Sequence, residues 1–278
     1  MTEVGKSVLP RADIDRHAFD VLLAESSNAR VGVNPEGGYI TSWQVRNPQG
    51  EFEDILYQGS IKKRTGIPTL FPYFGNADGM RSHGFGRDSL WQVVLTEGNR
   101  ITLALGNEGI PEDARLEYPY PFGVEMTVEA EEDGSLLYKL KVMNTGTSNL
   151  PISPGLHPYW AIAHKDKAVI QIEGISDFDA SQVDWDKQPP DAVYDYRGKT
   201  VIKMLGREIE IEDVTDGVGV VKYLVVWSQT PQKDDSDFIC VEPVTGKDNA
   251  VKEKPILVAP GEDWEMAIKF SVTLQPAE

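Results

Sequence analysis

The sequence predicts an all-β protein, a large antiparallel β-sandwich that forms a single domain over residues 1–278. Short runs in which apolar and polar residues alternate recur along the chain between turn sequences, as in sandwiches and barrels. The 25 glycines and 18 prolines are spread throughout, as many tight turns require. Helical periodicity is nearly absent, and the one helix-like segment is a short turn at residues 113–116.

The predicted elements follow one another with little irregular chain between them. Residues 1–18 are polar and irregular, and we expect a loosely ordered lead-in there. The run at 37–45 follows a Gly-Gly turn and ends at Asn-Pro-Gln-Gly, which is typical of a β-hairpin. The predicted strands, in chain order, cover residues 18–24, 30–34, 37–45, 91–96, 101–105, 124–130, 136–143, 168–172, 219–227, 238–241 and 266–274.

Composition restricts the partners of this chain. Its formal net charge of −17 and pI of about 4.7 argue against nucleic acid or an anionic membrane as a partner. No apolar run approaches the roughly 20 residues that span a bilayer, and the first residues lack the apolar core of a signal peptide. Cys240 is the only cysteine, which excludes an intrachain disulfide. We therefore expect a cytoplasmic protein, whose oligomeric state has no signature in the sequence.

A histidine between a glycine-containing strand end and a proline marks the first candidate site. The segment Pro-Ile-Ser-Pro-Gly-Leu-His-Pro-Tyr-Trp covers residues 151–160 and follows the alternating run at 136–143. Pro158 fixes its own φ and pushes His157 into the extended region. A side chain held in this way suits an acid or base that must meet one substrate atom. Alternatively, His157 belongs to an ordinary aromatic-rich loop.

A second candidate site combines cationic and aromatic residues at 64–76 and 81–88. Arg64, Asn76, His83 and Arg87 lie among glycines, prolines and aromatics. Glycines let the backbone approach a ligand, prolines stiffen the loops, and arginine donates paired hydrogen bonds to hydroxyls or phosphates. The aromatics offer flat apolar faces against which the C–H groups of a sugar ring could pack. Alternatively, the stretch is a proline-rich connection whose arginines form surface ion pairs.

The third candidate is a glutamate in the segment Phe-Ile-Cys-Val-Glu-Pro at 238–243. Phe238, Cys240 and Glu242 share one face of the predicted strand, and Ile239 and Val241 share the other. Burial would raise the pKa of Glu242, whereas hydrogen bonds or a nearby cation would lower it. Alternatively, Glu242 forms a structural ion pair with an arginine or lysine of an adjacent strand.

Motifs for metals and organic cofactors are missing from the sequence. Cys240 has no cysteine or histidine at metal-ligand spacing along the chain. The sequence also lacks a Gly-x-Ser-x-Gly elbow, a phosphate-binding loop and a dinucleotide fingerprint. We therefore expect neither a metal nor an organic cofactor.

Taken in order, these segments resemble the aldose 1-epimerase (galactose mutarotase-like) family, and most closely its hexose-phosphate mutarotase branch. That branch carries Gly-Ile-Pro-x-Leu-Phe-Pro and His-Gly-Phe-Ala-Arg, here at 66–72 and 83–87 with Gly86 in place of alanine. It then carries Gly-x-His-Pro-Tyr, here at 155–159, and Cys-x-Glu-Pro, here at 240–243. The strand pattern extends the resemblance over nearly the whole chain.

The resemblance implies a β-supersandwich that binds a sugar across a concave face and interconverts the α and β anomers of a hexose or hexose 6-phosphate. His157 and Glu242 match the family's acid–base pair, and His83 matches its substrate-binding histidine. Arg64 and Arg87 match arginines near the phosphate in the sugar-phosphate branch. The family also has a substrate-binding aspartate between the histidine and glutamate motifs, a role that we assign to Asp184 among the six aspartates Asp177, Asp179, Asp184, Asp186, Asp191 and Asp195.

Mutarotation has chemical requirements that these residues can meet. A proton leaves the anomeric hydroxyl and another is added to the ring oxygen; the open chain then rotates about C1–C2 and closes on the other face. Glu242 as carboxylate is the natural base and His157 as imidazolium the natural acid, each contributing about 10² to 10⁴ in rate. We expect a bell-shaped pH profile for such a pair.

Two other classes of function remain open from the sequence. A non-catalytic carbohydrate-binding protein would need the aromatics and arginines but not the His157–Glu242 pair. A glycoside hydrolase would need a second carboxylate about 5 to 10 Å from Glu242.

A group of basic residues suggests that the substrate carries a phosphate. A local basic cluster stands out in this acidic chain and could focus a phosphate into a cleft, although it could also just balance the acidic surface. We favour the phosphate. The cluster consists of Lys62, Lys63, Arg64, Arg81 and Arg87.

Overall fold

The computed structural model describes residues 21–59, 64–217, 219–233 and 236–275, and β-strands account for most of the regular structure in them. The first ten strands are β1 Leu22–Glu25, β2 Ala29–Asn34, β3 Tyr39–Arg46, β4 Phe52–Asp54, β5 Thr69–Leu70, β6 Gln92–Glu97, β7 Arg100–Gly106, β8 Phe122–Ala130, β9 Leu136–Asn144 and β10 Leu150–Ile152. The next ten are β11 Gly155–Leu156, β12 Tyr159–Ala161, β13 Gln171–Glu173, β14 Asp191–Asp195, β15 Lys199–Met204, β16 Arg207–Asp213, β17 Tyr223–Trp227, β18 Phe238–Val244, β19 Ile256–Val258 and β20 Asp263–Leu274.

Helices are few and short in these ranges. The α-helices are α1 Glu112–Glu117 and α2 Ala250–Glu253, and 3₁₀ helices cover Gly86–Asp88, Asn107–Gly109, His164–Val169 and Ala180–Gln182. Among the residues described, no helix has the length and apolar character needed to cross a membrane.

The named strands pair antiparallel and form the predicted β-sandwich. The largest sheet has eight strands in the order β13-β15-β16-β20-β9-β8-β7-β6. A six-stranded sheet has the order β14-β17-β18-β11-β5, with β12 also paired to β18. Smaller sheets contain β1-β2-β3-β4 and β10-β19. The predicted all-β class is therefore confirmed.

Alternation explains why the central strands adopt this arrangement. In β9, Leu136, Tyr138, Leu140 and Val142 are fully buried, whereas the lysines between them reach solvent. The neighbouring strand β8 places Val124 directly opposite Val142, so the apolar residues of both strands face the core together. Each fully buried aliphatic side chain of this kind contributes about 1.5–3 kcal/mol.

Strand β18 lies between the core and the functional face, as its sequence predicts. Ile239 and Val241 belong to the main hydrophobic cluster, which also contains core residues of the eight-stranded sheet. Phe238 and Cys240 belong to a separate cluster on the opposite face. Glu242 shares that opposite face because side chains alternate along a strand.

Most predicted strands are confirmed within one to four residues at each end, and one is wrong in its first half. Residues 164–169 form a 3₁₀ helix, and the strand predicted at 168–172 begins only at Gln171. The buried Lys167 explains the difference, since its ammonium donates to Ser228 and to the Ser236 carbonyl from that helix. Nine strands were not predicted: β4, β5, β10, β11, β12, β14, β15, β16 and β19. The predicted lead-in at 1–18 and the first residues of the strand predicted at 18–24 lie outside the described residues.

Candidate functional site

A cavity of about 460 Å³ opens on the outer face of the six-stranded sheet. Strand register determines which residues form its floor. Asp191 of β14 is opposite Trp227 of β17, which is opposite Cys240 of β18, which in turn is opposite Tyr159 of β12. The cavity is lined by Arg64, Phe74, Gly75, Asn76, Ser82, His83, Arg87, His157, Tyr159, Asp191, Val193, Val225, Trp227, Glu242 and Asp248.

His157 occupies the short connection between β11 and β12, on the stiff segment that the sequence predicted. Its backbone N–H donates to the Pro68 carbonyl at 3.1 Å. Its ring stacks on Tyr159, with centroids 4.6 Å apart and planes 5° apart, and meets the edge of Trp227 at 5.7 Å. Backbone and ring contacts together fix the direction of the imidazole.

Glu242 faces this imidazole from β18. Its Oε1 lies 3.3 Å from Nε2 of His157, and both side chains are less than one-tenth exposed. The other two polar atoms of the pair, Nδ1 of His157 and Oε2 of Glu242, have no hydrogen-bond partner in the described part of the chain. The pair therefore has two buried polar atoms that make no hydrogen bond, and such atoms are rare in native proteins.

Burial shifts the two pKa values of this pair in opposite directions. Burial raises the pKa of Glu242, and Asp191 adds to the rise, whereas Arg87 opposes it. Burial lowers the pKa of His157, and the neighbouring His83 and Arg87 lower it further. Burial therefore favours the neutral form of the pair, a protonated carboxyl beside a neutral imidazole, over the ion pair.

His83 is held in a defined tautomer. Its φ of 63° is in the left-handed region, which non-glycine residues rarely adopt. The Gly75 N–H donates to Nδ1 of His83 at 3.1 Å, so the ring proton of neutral His83 resides on Nε2. Burial, followed by the charge of Arg87, lowers the pKa of His83 to about 4. His83 is therefore a neutral hydrogen-bond donor at physiological pH.

The loop that holds His83 is stabilised by Asp248. The Asp248 carboxylate accepts a hydrogen bond from the Asn76 backbone N–H at 2.9 Å. Gly75 has φ 75°, and a Cβ at this position would overlap the Asp248 carboxylate. Glycine is therefore required where the loop turns beneath this aspartate.

The predicted basic cluster divides between the cavity and the surface. Arg64 and Arg87 line the cavity, and the Nε of Arg87 is buried without a hydrogen-bond partner in the described residues. Burial lowers the pKa of Arg87. Arg81 instead forms ion pairs with Asp113 at 2.8 Å and Glu117 at 3.1 Å, so its assignment to the cluster is corrected. The predicted Lys62 and Lys63 lie outside the described residues.

The assignment of Asp184 also requires correction. Asp184 is exposed, does not line the cavity, and uses its carboxylate to accept the Lys187 N–H of a local turn. Asp191, the first residue of β14, lines the cavity instead. The sequence signal for this was the alternating run Asp-Ala-Val-Tyr-Asp after two prolines, which indicates a strand start at the position of Asp191.

Sequence reasoning also missed one cluster and four cavity residues: Val193, Val225, Trp227 and Asp248. Trp227 was predicted to lie in a strand but not in the site, and Asp248 was not singled out. A potential metal-ligand set was missed as well: one ligand atom each from His157, Cys240 and Glu242 lie within 4.8 Å of one another. The expectation that Cys240 lacks ligand neighbours fails because the fold, rather than chain spacing, brings them together.

The chain is similar to known proteins over most of its length. The sequence model of the aldose 1-epimerase family matches residues 20–213, which is more than half of the chain. A protein of Cenchrus ciliaris named "Putative glucose-6-phosphate 1-epimerase" is 25% identical over 287 residues, which cover 90% of this chain and 84% of that protein.

Solved structures share the fold. The Slr1438 protein of Synechocystis sp. PCC 6803 has a TM-score of 0.77 at 22% identity, covering 96% of this chain and 100% of its own. A galactose mutarotase related enzyme of Lactobacillus acidophilus has a TM-score of 0.73 at 17% identity, covering 93% and 99% of the two chains. At these identities the likeness establishes the β-sandwich architecture.

Proposed function

The chain belongs to the aldose 1-epimerase family and is an isomerase of aldose anomers, and we propose that it acts on a hexose 6-phosphate bound in the cavity of the six-stranded sheet. The observation that carries the chemical part of the proposal is the 3.3 Å approach of His157 Nε2 to Glu242 Oε1 in a largely buried cavity floor. A base and an acid side by side are what ring opening of a cyclic aldose needs.

In the proposed mechanism one residue of the pair accepts a proton from the sugar while the other donates a proton to it. Glu242 takes the proton of the anomeric hydroxyl as His157 gives a proton to the ring oxygen, so the C1–O5 bond breaks and an aldehyde forms. The aldehyde rotates about C1–C2 and presents its other face. His157 then removes the proton from the C5 hydroxyl as Glu242 returns its proton to the carbonyl oxygen.

The buried pair is well suited to this cycle. The cyclic sugar faces an ion pair, and the open-chain sugar faces a neutral acid and a neutral imidazole. Burial favours the neutral form, since it raises the pKa of Glu242 and lowers that of His157. The environment thus stabilises the state that accompanies the open-chain intermediate, while Arg87 supports the carboxylate needed at the start.

Neighbouring side chains would position the sugar. Neutral His83 can donate its Nε2–H to a hydroxyl or to the aldehyde oxygen. Asp191 can accept hydrogen bonds from sugar hydroxyls, and Trp227 and Tyr159 offer flat apolar faces to the C–H groups of the ring. Asn76 lines the same cavity and offers an amide that can donate or accept.

The second part of the proposal is that the sugar carries a phosphate, which Arg64 and Arg87 bind. Arg64 and Arg87 line the cavity, and the buried Nε–H of Arg87 lacks a partner among the described residues. A phosphate oxygen would satisfy that donor, since guanidinium binds phosphate through paired hydrogen bonds. The name of the Cenchrus ciliaris relative, a glucose-6-phosphate 1-epimerase, supports the same substrate class.

Hydrolysis of a glycosidic bond is the second candidate. Asp191 lines the same cavity as Glu242 and raises the pKa of Glu242, so a second carboxylate is available. The family membership and the His157–Glu242 approach favour mutarotation. A purely carbohydrate-binding protein would not require a histidine beside a buried glutamate.

The test is the rate of α-to-β exchange measured by NMR for glucose, galactose and glucose 6-phosphate. We expect the fastest exchange with glucose 6-phosphate. Arg64→Gln and Arg87→Gln should each lower kcat/KM for the phosphorylated sugar by about 10- to 100-fold, the worth of a charge-assisted hydrogen bond of about 1.5–3 kcal/mol. Arg81→Gln is the matched control, because Arg81 is paired with Asp113 and Glu117 away from the cavity.

The outcomes separate the candidates. Equal losses with glucose and glucose 6-phosphate would contradict the phosphate assignment but leave the isomerase intact. Release of methanol from a methyl glucoside would favour the hydrolase. Binding of all three sugars without faster exchange would contradict the catalytic proposal.

A further inference from the structure

We propose that a thiophilic divalent cation, Zn²⁺ or Cd²⁺, binds to His157 and Glu242, which line the cavity, and to the fully buried Cys240 next to them, and blocks anomer exchange. Binding follows from the geometry of these three side chains. The inhibition rests in addition on the proposed function, because the cation occupies the two residues to which we assign proton transfer.

The three ligand atoms are already close. One atom from each side chain lies within 4.8 Å of the others. A tetrahedral zinc ion with bonds of about 2.0–2.3 Å would hold its ligands roughly 3.5 Å apart, so an inward shift of roughly 1 Å completes the set. Strand register produces this closeness: Cys240 is opposite both Tyr159 and Trp227, whose rings pack against His157.

Unsatisfied buried atoms point to a ligand at this place. Nδ1 of His157 and Oε2 of Glu242 make no hydrogen bond within the described ranges, although both side chains are more than nine-tenths buried. A cation coordinated by Oε2 of Glu242 would satisfy a buried lone pair that otherwise lacks a donor. The Glu242 carboxylate thus presents a buried acceptor atom to which no described protein group donates a hydrogen bond.

The donor set selects the type of cation. A thiolate, an imidazole and a carboxylate suit Zn²⁺ or Cd²⁺, whereas Mg²⁺ and Ca²⁺ prefer oxygen ligands alone. Three protein ligands leave a fourth position open for water or a sugar hydroxyl. On binding, the S–H bond of Cys240 breaks, a sulfur–metal bond forms, and the proton passes to solvent. Glu242 releases its proton in the same way, so acid should weaken binding.

Cadmium is the probe, because a cadmium–thiolate bond absorbs in the ultraviolet. Since the sequence contains one cysteine, any such band in the full-length chain reports Cys240. We expect the band to saturate at one Cd²⁺ per chain. NMR anomer exchange, measured in the same titration, should be lost with the same half-saturation concentration and restored by EDTA.

Variants assign the ligands. Cys240→Ala should remove the band and weaken inhibition by about 10- to 100-fold, while basal exchange persists because Cys240 does not line the cavity. Cys240→Ser, which is nearly the same size, repeats the test if the alanine variant folds poorly. His157→Asn and Glu242→Gln should weaken cadmium binding by a similar factor. His164→Asn is the control, because His164 forms a separate pair with Asp186 at 2.9 Å.

Two results would overturn the proposal. One is a cadmium band of unchanged affinity in both His157→Asn and Glu242→Gln. The other is inhibition that is unchanged in Cys240→Ala, which would place the inhibitory cation elsewhere. A chain that binds Cd²⁺ as expected but never accelerates anomer exchange would refute the proposed function and leave the cation site intact.

Discussion

Replacing Glu242 by glutamine should lower the rate of anomer exchange and, at the same time, stabilise the fold. The side chain is 2% exposed, and burial raises the pKa of its carboxyl above the ordinary value of 4.5. Glutamine keeps the size of the side chain but cannot accept the anomeric proton. Loss of a positioned base should slow exchange by about 10² to 10⁴.

The gain in stability follows from proton linkage. Unfolded Glu242 is ionised above pH 4.5, whereas burial in the folded protein raises the pKa of its carboxyl. Holding a carboxyl of ordinary pKa 4.5 fully protonated at pH 7 would cost about 3 kcal/mol, which is the upper limit for this group. Glu242→Gln removes this cost, so its melting temperature at pH 7 should rise by up to about 6–12 °C. The cost is absent below pH 4.5 and grows as pH rises towards the folded pKa, so the gain should vanish near pH 4.

Glu129 is the matched control, because it is also a buried glutamate but is paired. Arg100 and Lys139 donate to its carboxylate at 3.1 and 3.3 Å. Although burial alone would raise its pKa, these two cations lower it overall. Glu129→Gln should therefore lose stability at pH 7, lose less of it at pH 4, and keep its exchange rate. NMR exchange and thermal unfolding at both pH values provide the assay. If Glu242→Gln instead lost stability and kept its rate, Glu242 would be a structural ion-pair residue and the mechanism would be refuted.

Three further predictions concern the loop, the aspartate and the pH profile. Asp191→Asn should raise KM about tenfold or more through a weaker hydrogen bond to a sugar hydroxyl, whereas Asp184→Asn should leave steady-state kinetics unchanged; equal behaviour of the two would be inconsistent with the correction. Gly75→Ala should lower the free energy of unfolding in urea by about 1–3 kcal/mol, since alanine is strained at positive φ and meets Asp248. If Gly75→Ala unfolded at the same urea concentration as the wild type, the loop would have relaxed around the added methyl group without strain. The profile of kcat/KM should stay flat from pH 7 to well below 6.5, because burial lowers the pKa of His157 from that value; an acid limb centred at 6.5 would argue for an exposed imidazole.

Much of the site could be predicted because its residues occur in rigid local motifs. His157 is constrained by Pro158, and Glu242 shares its strand face with Cys240, so the direction of each side chain followed from backbone rules alone. That His83 and Arg87 share one loop could also be inferred from their closeness in the chain. Each of these inferences needs only the geometry of a few consecutive residues.

The sequence by itself determined the all-β class, 11 of the 20 named strands and, through its local motifs, the cavity residues His83, Arg87, His157 and Glu242. It could not choose Asp191 over Asp184, because only the pairing of β14 with β17 brings Asp191 opposite Trp227. The tertiary structure alone decided which atoms meet across strands, including the 3.3 Å approach of His157 to Glu242. It also decided their burial, and hence the direction of their pKa shifts, because desolvation depends on everything packed around a group rather than on its neighbours in the chain.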